Sequence, residues 1–150
     1  MNKKTYDALA SAIYVSRLTV NGGTLDTDDK RLRASGLYDE WTPGDYAAGD
    51  IRNAPDTSGE FQTWECFQAH DNAVYPDIVP GNSAWFTFWR PLHGTTPETA
   101  RLFVPVQGSH DIYKYGEYMI WTNGIVHKCI APNGTNFSPA EYPGGWEAIQ

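Results

Sequence analysis

The sequence predicts a mainly β protein, in which two tandem small three-stranded antiparallel β modules follow a short N-terminal helical segment. Three observations lead to this fold class. Aromatic residues make up 14% of the 150 residues, and aromatic residues favour strands. The chain also contains 14 Gly and 10 Pro, as expected where many turns join short strands. The third observation is an internal repeat, whose copies have the size of one small module.

The first predicted element is a helix over residues 5–18. Thr5 suits the first turn of a helix, and the apolar side chains that follow recur at three-and-four spacing. These side chains are Tyr6, Leu9, Ala10 and Ile13. The simpler expectation is a short helix that packs on the body of the protein. The alternative is an oligomerising or docking helix, in which Tyr6, Leu9 and Ile13 form a seam between copies.

The helix belongs to an N-terminal segment of residues 1–36, which we interpret as an anchor or oligomerisation region. After the helix this segment is polar and bounded by glycines, with a short helix expected around residues 28–34, so it serves as a connector. The two β modules are then expected over residues 37–96 and 97–150.

The strongest hairpin signal is Asn123-Gly124, because both turn positions tolerate a positive φ. The flanking strands are predicted over residues 117–121 and 125–130. On these strands we expect cross-strand contacts among one set of side chains. The set is Tyr118, Ile120, Ile125 and His127.

Two stretches of the chain match each other at nearly constant spacing. The triplets at an offset of 67 residues are Gly49-Asp50-Ile51 and Gly116-Glu117-Tyr118. The pairs at an offset of 63 residues are Trp64-Glu65-Cys66 with His127-Lys128-Cys129, and Tyr75-Pro76 with Ser138-Pro139. The second copy is thus four residues shorter, and we expect the missing residues in its hairpin turn. The aromatic residues that begin and close the copies are Trp41 and Trp85 or Trp89 in the first, and Phe103 and Trp146 in the second.

The repeat also assigns a role to the only 2 cysteines. Cys66 and Cys129 occupy equivalent strand positions in separate modules, which does not suit a bridge between them. Each is expected to be a small buried hydrophobe without a disulfide.

Composition and charge exclude several classes of function. The net charge of -7 disfavours nucleic acids and anionic lipid, because both are bound by clustered Lys and Arg. No apolar run reaches the ~18 residues of a membrane span, so no membrane insertion is expected. Asp7, Tyr14 and Arg17 interrupt the apolar stretch near the N-terminus, which argues against a signal peptide.

No arrangement of residues predicts an enzyme. The acidic residues lack a spacing that would place two carboxylates on one rigid element, and Asp50 and Glu117 are better explained as caps of turn N–H groups. His127 and Cys129 could approach a metal, but the matching Trp64 in the first copy cannot ligate zinc. We therefore expect no catalytic residues, no metal and no cofactor.

The repeated pattern resembles the small chitin-binding type of carbohydrate-binding module, families five and twelve. In the first copy the resemblance is carried by Trp41, Tyr46, Gly49-Asp50, Trp64-Glu65-Cys66, Pro76 and Trp85 or Trp89. In the second it is carried by Phe103, Tyr113, Gly116-Glu117, His127-Lys128-Cys129, Pro139 and Trp146. It covers residues 37–150 and implies a compact β fold with about three short strands in each module.

With its helical head, the chain is also similar to small tail, baseplate or fibre proteins of bacteriophages and prophages. This resemblance implies a virion protein, made in the bacterial cytoplasm, that acts at or near host attachment. Its expected partners are other virion proteins, further copies of itself and a host cell-surface polysaccharide bound by the two modules. The alternative is a purely structural decoration or assembly protein, whose modules bind other virion proteins and no sugar.

Exposed aromatic rings are the candidate binding groups, because flat ring faces stack on the C–H face of a sugar. The candidate glycan- or partner-binding residues are Trp121, Tyr75, Tyr142, Phe137 and Trp89. The sequence leaves core and surface positions equally open for Trp121, Tyr75 and Tyr142. A core position is expected for Trp41, Trp85 and Trp146.

One departure from the family pattern bears on sugar binding. Chitin-binding members carry a pair of exposed aromatic residues just after the strand that ends here in Cys66 or Cys129. This chain has Gln68-Ala69-His70 and Ile130-Ala131-Pro132 at these places. The absence of the pair favours the structural alternative.

Overall fold

The computed structural model describes residues 1–81 and 87–149, and confirms a mainly β fold with a helical head. The helices are α1 (Lys3–Asn21) and α2 (Asp28–Arg33). The strands of the first module are β1 (Asp45–Tyr46), β2 (Ile51–Pro55), β3 (Phe61–Cys66), β4 (His70–Asp71) and β5 (Trp89–Pro91). Those of the second are β6 (Arg101–Leu102), β7 (Tyr118–Ile120), β8 (Val126–Cys129) and β9 (Trp146–Ile149).

Helix α1 begins at a side-chain cap, and its last residue attaches it to the body of the protein. The Asn2 side chain accepts a hydrogen bond from the backbone N–H of Thr5, which satisfies one of the free donors of the first turn. At the other end, Asn21 donates to the carbonyl of Leu37 and accepts from the N–H of Asp39, both at 3.0 Å. Val20 is the one buried residue of the helix. The expectation that α1 packs on the body is therefore wrong, since only its last turn does so.

The first module contains a three-stranded antiparallel sheet in the order β2-β3-β5 and a short β1-β4 pair. Trp64, Cys66 and Trp89 lie fully buried at its centre. Gln62, Thr63 and Trp64 follow one another in β3 and are all buried, so both faces of this central strand are covered. Trp89 closes the module, whereas Trp85 lies outside the described residues.

The second module contains the antiparallel strands β7, β8 and β9, to which β6 adds a parallel pair with β7. Its core is formed by Tyr113, Met119, Cys129, Ala131 and Trp146. This core is separate from the core of the first module, although Val104 of the second stretch reaches into the first.

The two modules repeat the same hydrogen bonds at the predicted offsets. The N–H of Gly49 donates to the carbonyl of Cys66 at 2.7 Å, and the N–H of Gly116 donates to the carbonyl of Cys129 at 2.8 Å. Both glycines have a positive φ, of 97° and 88°, which only glycine adopts without cost. The N–H groups of Cys66 and Cys129 donate in return to the carbonyls of the residues after these glycines, Asp50 and Glu117, each at 2.8 Å. The predicted correspondence of the two stretches is confirmed.

The acidic residues after the two glycines act as predicted. The Asp50 carboxylate accepts from the N–H of Ala47 at 2.9 Å, and that of Glu117 accepts from the N–H of Lys114 at 2.7 Å. Each carboxylate therefore caps the turn that precedes its strand.

The aromatic rings of the two cores also repeat. Tyr46 meets the edge of Trp89 with centroids 5.0 Å apart at 71°, and Tyr113 meets Trp146 at 5.3 Å and 68°. Each tyrosine also stacks against the leading aromatic of its copy, Trp41 or Phe103. Cys66 pairs with Trp89 and Cys129 with Trp146 in the strand register. The two cysteines are free and buried in matching settings, as predicted.

The second copy is four residues shorter than the first, and the structure places this difference elsewhere than the predicted hairpin turn. Both turns have the same hydrogen bonds, since Gly59 and Gly124 donate to the residue three positions before, Asp56 and Trp121. The turn is therefore conserved between copies, and the second copy lacks two residues from each arm of the ribbon. The expectation that the loss lies in the turn is wrong.

The register of the second hairpin is also shifted by one residue from the prediction. Met119 pairs with His127 and Ile120 with Val126, so Met119 and His127 face the core and Tyr118 does not pair with His127. Only glycines have a positive φ among the described residues, so Asn123 does not adopt one. A three-residue turn with Gly124 at the left-handed position replaces the predicted two-residue turn, and this changes the register.

Candidate interaction surfaces

Helix α1 exposes a large apolar surface. Residues 1–19 are all exposed, and six large apolar side chains of α1 keep half or more of their surface open to solvent. Five of these side chains lie on one broad face: Tyr6, Leu9, Ile13, Tyr14 and Leu18. The sixth, Val15, lies on the opposite face. Helices in proteins gain most of their stability by packing an apolar face against other residues. We therefore expect a partner to cover the exposed face of α1.

A groove of about 420 Å³ continues this face at the base of the helix. It lies between the C-terminal half of α1 and the first residues of the first module. Its lining residues are Tyr14, Arg17, Leu18, Asn21, Gly22 and Asp39. The groove is mainly apolar and carries one positive and one negative side chain, Arg17 and Asp39.

The predicted ring residues are distributed over both modules. Tyr75 in the first module and Phe137 and Tyr142 in the second are exposed, as a binding role requires. Trp121 is half-buried and packs edge-on against Phe103 at 5.3 Å. Trp89 is fully buried at the centre of the first core. Its assignment as a binding residue is therefore wrong, because a ring in the core has no face open to a ligand.

The exposed rings do not form a stacked platform. Within residues 1–81 and 87–149, none of the stacked ring pairs joins two of the predicted binding residues. Tyr75 approaches Phe88 at 6.2 Å in a tilted arrangement, and the Tyr142 ring lies against Gly145. Phe137 and Tyr142 share the loop between β8 and β9, where the N–H of Tyr142 donates to the carbonyl of Ser138 at 2.8 Å.

A polar joint connects the head to the first module. On α2, Asp28 accepts two hydrogen bonds from the Arg90 guanidinium, at 2.7 and 2.8 Å, and one from the N–H of His93 at 3.1 Å. Arg90 also donates to Glu65 at 2.7 Å. Burial opposes ionisation of Asp28, but the hydrogen bonds and charge of Arg90 outweigh it and lower the pKa of Asp28 below its usual value. We call Asp28, Arg90 and Glu65 the joint.

The joint extends to the second module. His93 lies against Tyr113 with ring centroids 3.8 Å apart, and its Nδ1 lies 3.1 Å from the Glu117 carboxylate. The N–H of Tyr118 donates to the carbonyl of Gly94 at 2.8 Å. A cleft of about 560 Å³ opens above these residues, but most of its charged groups already bind one another. We interpret these contacts as structural links between the head and both modules.

The residues considered for metal or nucleophilic chemistry lie in unreactive settings. Burial raises the pKa of the Cys66 thiol to about 11 and also raises the pKa of Cys129, so both remain protonated near neutral pH. His127 is bonded through Nδ1 to the carbonyl of Ile125. In the part of the chain that the structure describes, no group of three or more His, Cys, Asp or Glu side chains could hold a metal ion.

Sequence reasoning did not identify the joint. The sequence predicts a connector with a short helix around residues 28–34, and the Thr27 cap signal before Asp28-Asp29 indicates only where this helix begins. Asp29 also binds Thr95 and Thr99 across 66 and 70 residues of sequence, a separation that no local pattern reveals.

In the described residues no helix is long and apolar enough to span a bilayer.

Comparison with known proteins gave no match: no family model matches the chain, and no curated protein or solved structure is significantly similar to it. The surfaces described above are therefore the basis for a functional proposal.

Proposed function

We propose that this chain is a non-enzymatic assembly protein, in which α1 binds protein and the two β modules form the body that it displays. The setting that the family resemblance implies is the virion of a bacteriophage or prophage. The observation that carries the proposal is the apolar face of α1, on which five large side chains keep half or more of their surface exposed.

The size of this face suits a protein interface. Five large side chains that are half exposed or more represent on the order of 500 Å² of apolar surface on each copy. A pair of such faces would bury about 1,000 Å², near the lower limit of specific protein–protein interfaces. Scattered apolar residues on a surface are ordinary, but a continuous helical face of this size marks an interaction site.

The body of the protein supports the same proposal. The joint and the backbone bond from Tyr118 to Gly94 hold the head and both modules together. Only the last turn of α1 takes part in this body, through Val20 and Asn21. The rest of the helix is free to bind a partner without disturbing either core.

Two neighbouring substitutions on α1 test the proposal. Tyr14→Glu places a charge on the apolar face, whereas Val15→Glu places it on the opposite face at similar exposure. We expect wild type and Val15→Glu to show a mass above 16.8 kDa in sedimentation at micromolar concentration, and Tyr14→Glu to sediment as a monomer. Equal monomeric masses for all three chains up to millimolar concentration would contradict assembly through α1 with itself.

Glycan binding by the second module is a second candidate function. The specific observation is that Phe137 and Tyr142 are exposed rings on one loop. We expect saturable binding of chitin oligosaccharides at millimolar concentration, which Tyr142→Ala reduces and Phe61→Ala, an exposed ring of the first module, does not. Absence of saturable binding in the wild-type protein would exclude this candidate and leave the assembly function unaffected.

A further inference from the structure

The outer face of the second module's sheet carries a row of aliphatic side chains, one from each of its four strands. The members pair with their neighbours in the strand register and are Leu102, Ile120, Val126 and Ile149. Paired residues project to the same face of a sheet, so the row crosses the whole sheet. In the described part of the chain, none of the buried hydrophobic clusters includes these residues. We call these four side chains the sheet row.

The sheet row is open to solvent. Its members are half-buried, and a groove adjoins the row at each end. At the β9 end, Val126 and Ile149 line a groove of about 370 Å³ together with Ile125, which is 36% exposed. At the β6 end, the other two members line a groove of about 330 Å³ beside the exposed ring of Phe61. An aliphatic row with open grooves at both ends is typical of an interaction surface.

The dimensions of the sheet row suit an α-helix. A helix with its side chains is about 10 Å across, and strands β7, β8 and β9 span about 10 Å at a spacing of about 4.8 Å. One helix that lies along these strands therefore covers the row where the row crosses them. Packing an apolar helical face on a sheet is also one of the few layer arrangements that protein domains use.

The charge of the chain favours contact between α1 and the body of another copy. Helix α1 contains three basic and one acidic side chain, so its net charge is +2. Because the whole chain carries -7, the remainder of the chain carries -9. Two α1 helices therefore repel each other, whereas α1 and the body of a second copy attract each other.

We infer that the apolar face of α1 binds the sheet row of a second copy of this chain. This inference rests on the proposed function and names the surface that covers α1. The helical face is available for this contact, because the body of its own copy holds only the last turn of α1, through Val20 and Asn21. Each copy offers one helix and one sheet row, so the contact joins two different surfaces.

Two variants of the full chain each disrupt one of these surfaces. Ile13→Glu places a charge on the helical face, and Val126→Glu places a charge in the sheet row. Each is expected to raise the dissociation constant of self-association at least tenfold in sedimentation. The matched controls are Val15→Glu, on the opposite face of α1, and Val74→Glu, at an exposed position of the first module. Both controls should assemble as the wild type does.

A mixture of the two variants distinguishes this contact from a contact between two helices. Ile13→Glu keeps an intact sheet row and Val126→Glu keeps an intact α1, so the two together should form a complex of two chains, twice 16.8 kDa. A mixture that stays monomeric where the wild type assembles would overturn the inference. Assembly of Val126→Glu alone at the wild-type dissociation constant would also overturn it, and would leave assembly through α1 intact.

Two further measurements complete the test. Circular dichroism and the urea midpoint report whether each variant folds, and Ile125→Glu, in the groove at the β9 end, replaces Val126→Glu if that variant does not. A wild-type chain that stays monomeric up to millimolar concentration would overturn both this inference and self-assembly through α1.

Discussion

Replacing Asp28 by asparagine removes the negative charge of the joint while keeping the size of the side chain. Asp28 is about one-fifth exposed and accepts two hydrogen bonds from Arg90 and one from the N–H of His93. Asparagine offers a single acceptor oxygen, and it leaves the Arg90 guanidinium with Glu65 as its remaining charged partner. Hydrogen bonds to charged groups contribute roughly 1.5–3 kcal/mol each. Because Arg90 keeps one carboxylate, we expect Asp28→Asn to lower the free energy of unfolding by about 2 kcal/mol.

Equilibrium urea unfolding measures this loss. With a denaturant dependence of about 2 kcal/mol/M for a chain of this size, the midpoint should fall by about 1 M. The matched control is Asp26→Asn, which lies two residues away in an exposed ion pair with Lys30 and should not shift the midpoint. A midpoint for Asp28→Asn equal to that of the control would refute the structural role of the joint.

The pH dependence of the free energy of unfolding, compared between wild type and Asp28→Asn, tests whether the charge of Asp28 is responsible for the stabilisation. The pKa of Asp28 is lowered from its ordinary value of 3.8, so the folded state favours the charged carboxylate. The stabilisation that this charge provides is fully present above the ordinary value and is lost as pH falls through the lower pKa of the folded state. The difference in stability between wild type and Asp28→Asn should therefore narrow below about pH 4. A constant difference down to pH 2 would show that the charge is not responsible.

Three further predictions concern the repeated modules. Gly59→Ala and Gly124→Ala should each lower the free energy of unfolding by about 1 kcal/mol, because both glycines have a positive φ and open space around them. The control is Gly36→Ala, at a glycine that also has open space but no positive φ. Equal urea midpoints for all three variants would contradict the common turn. Cys66 and Cys129 should both resist thiol reagents in the native protein and react only on unfolding, and rapid labelling of either at neutral pH would contradict their matched burial. Trp89→Phe and Trp146→Phe should each lower the free energy of unfolding by about 1–3 kcal/mol, and a neutral result for one alone would show that the two cores are not equivalent.

The fold class was predictable from sequence because the repeat preserves positions with strong local requirements. Gly49 and Gly116 must adopt a positive φ, and an acidic residue follows each to cap the turn. The cysteines are the last residues of β3 and β8, where each small side chain is fully buried and pairs in the strand register with a tryptophan. These requirements are local and recur at fixed spacing, so the sequence alone reveals them.

The hairpin register and the closing tryptophan required tertiary information. The Asn-Gly pair predicts a two-residue turn, but the chain adopts a three-residue turn with Gly124 alone at positive φ, which moves Met119 and His127 to the core face. Trp85 and Trp89 are both compatible with the family pattern, and only packing against Tyr46 and Cys66 identifies Trp89. That packing places Trp89 out of reach of any ligand.

The candidate surface on α1 was only partly predictable. The three-and-four spacing of its apolar residues indicated an amphipathic helix, and either a core or a partner can bury such a face. The structure shows that the body leaves most of the helix uncovered, because Val20 and Asn21 attach only its last turn. The joint was not predictable, because Asp28 and Arg90 are 62 residues apart in sequence.

Amide hydrogen exchange of α1 at two protein concentrations tests the central claim, that this helix is stabilised by an assembly partner. A free helix of 19 residues attached only at its last turn exchanges rapidly, since isolated helices are marginal in water. We predict strong protection of residues 6–18 at high concentration, which falls on dilution and is absent in Tyr14→Glu but retained in Val15→Glu. Protection of α1 that is identical at both concentrations and in both variants would contradict the claim.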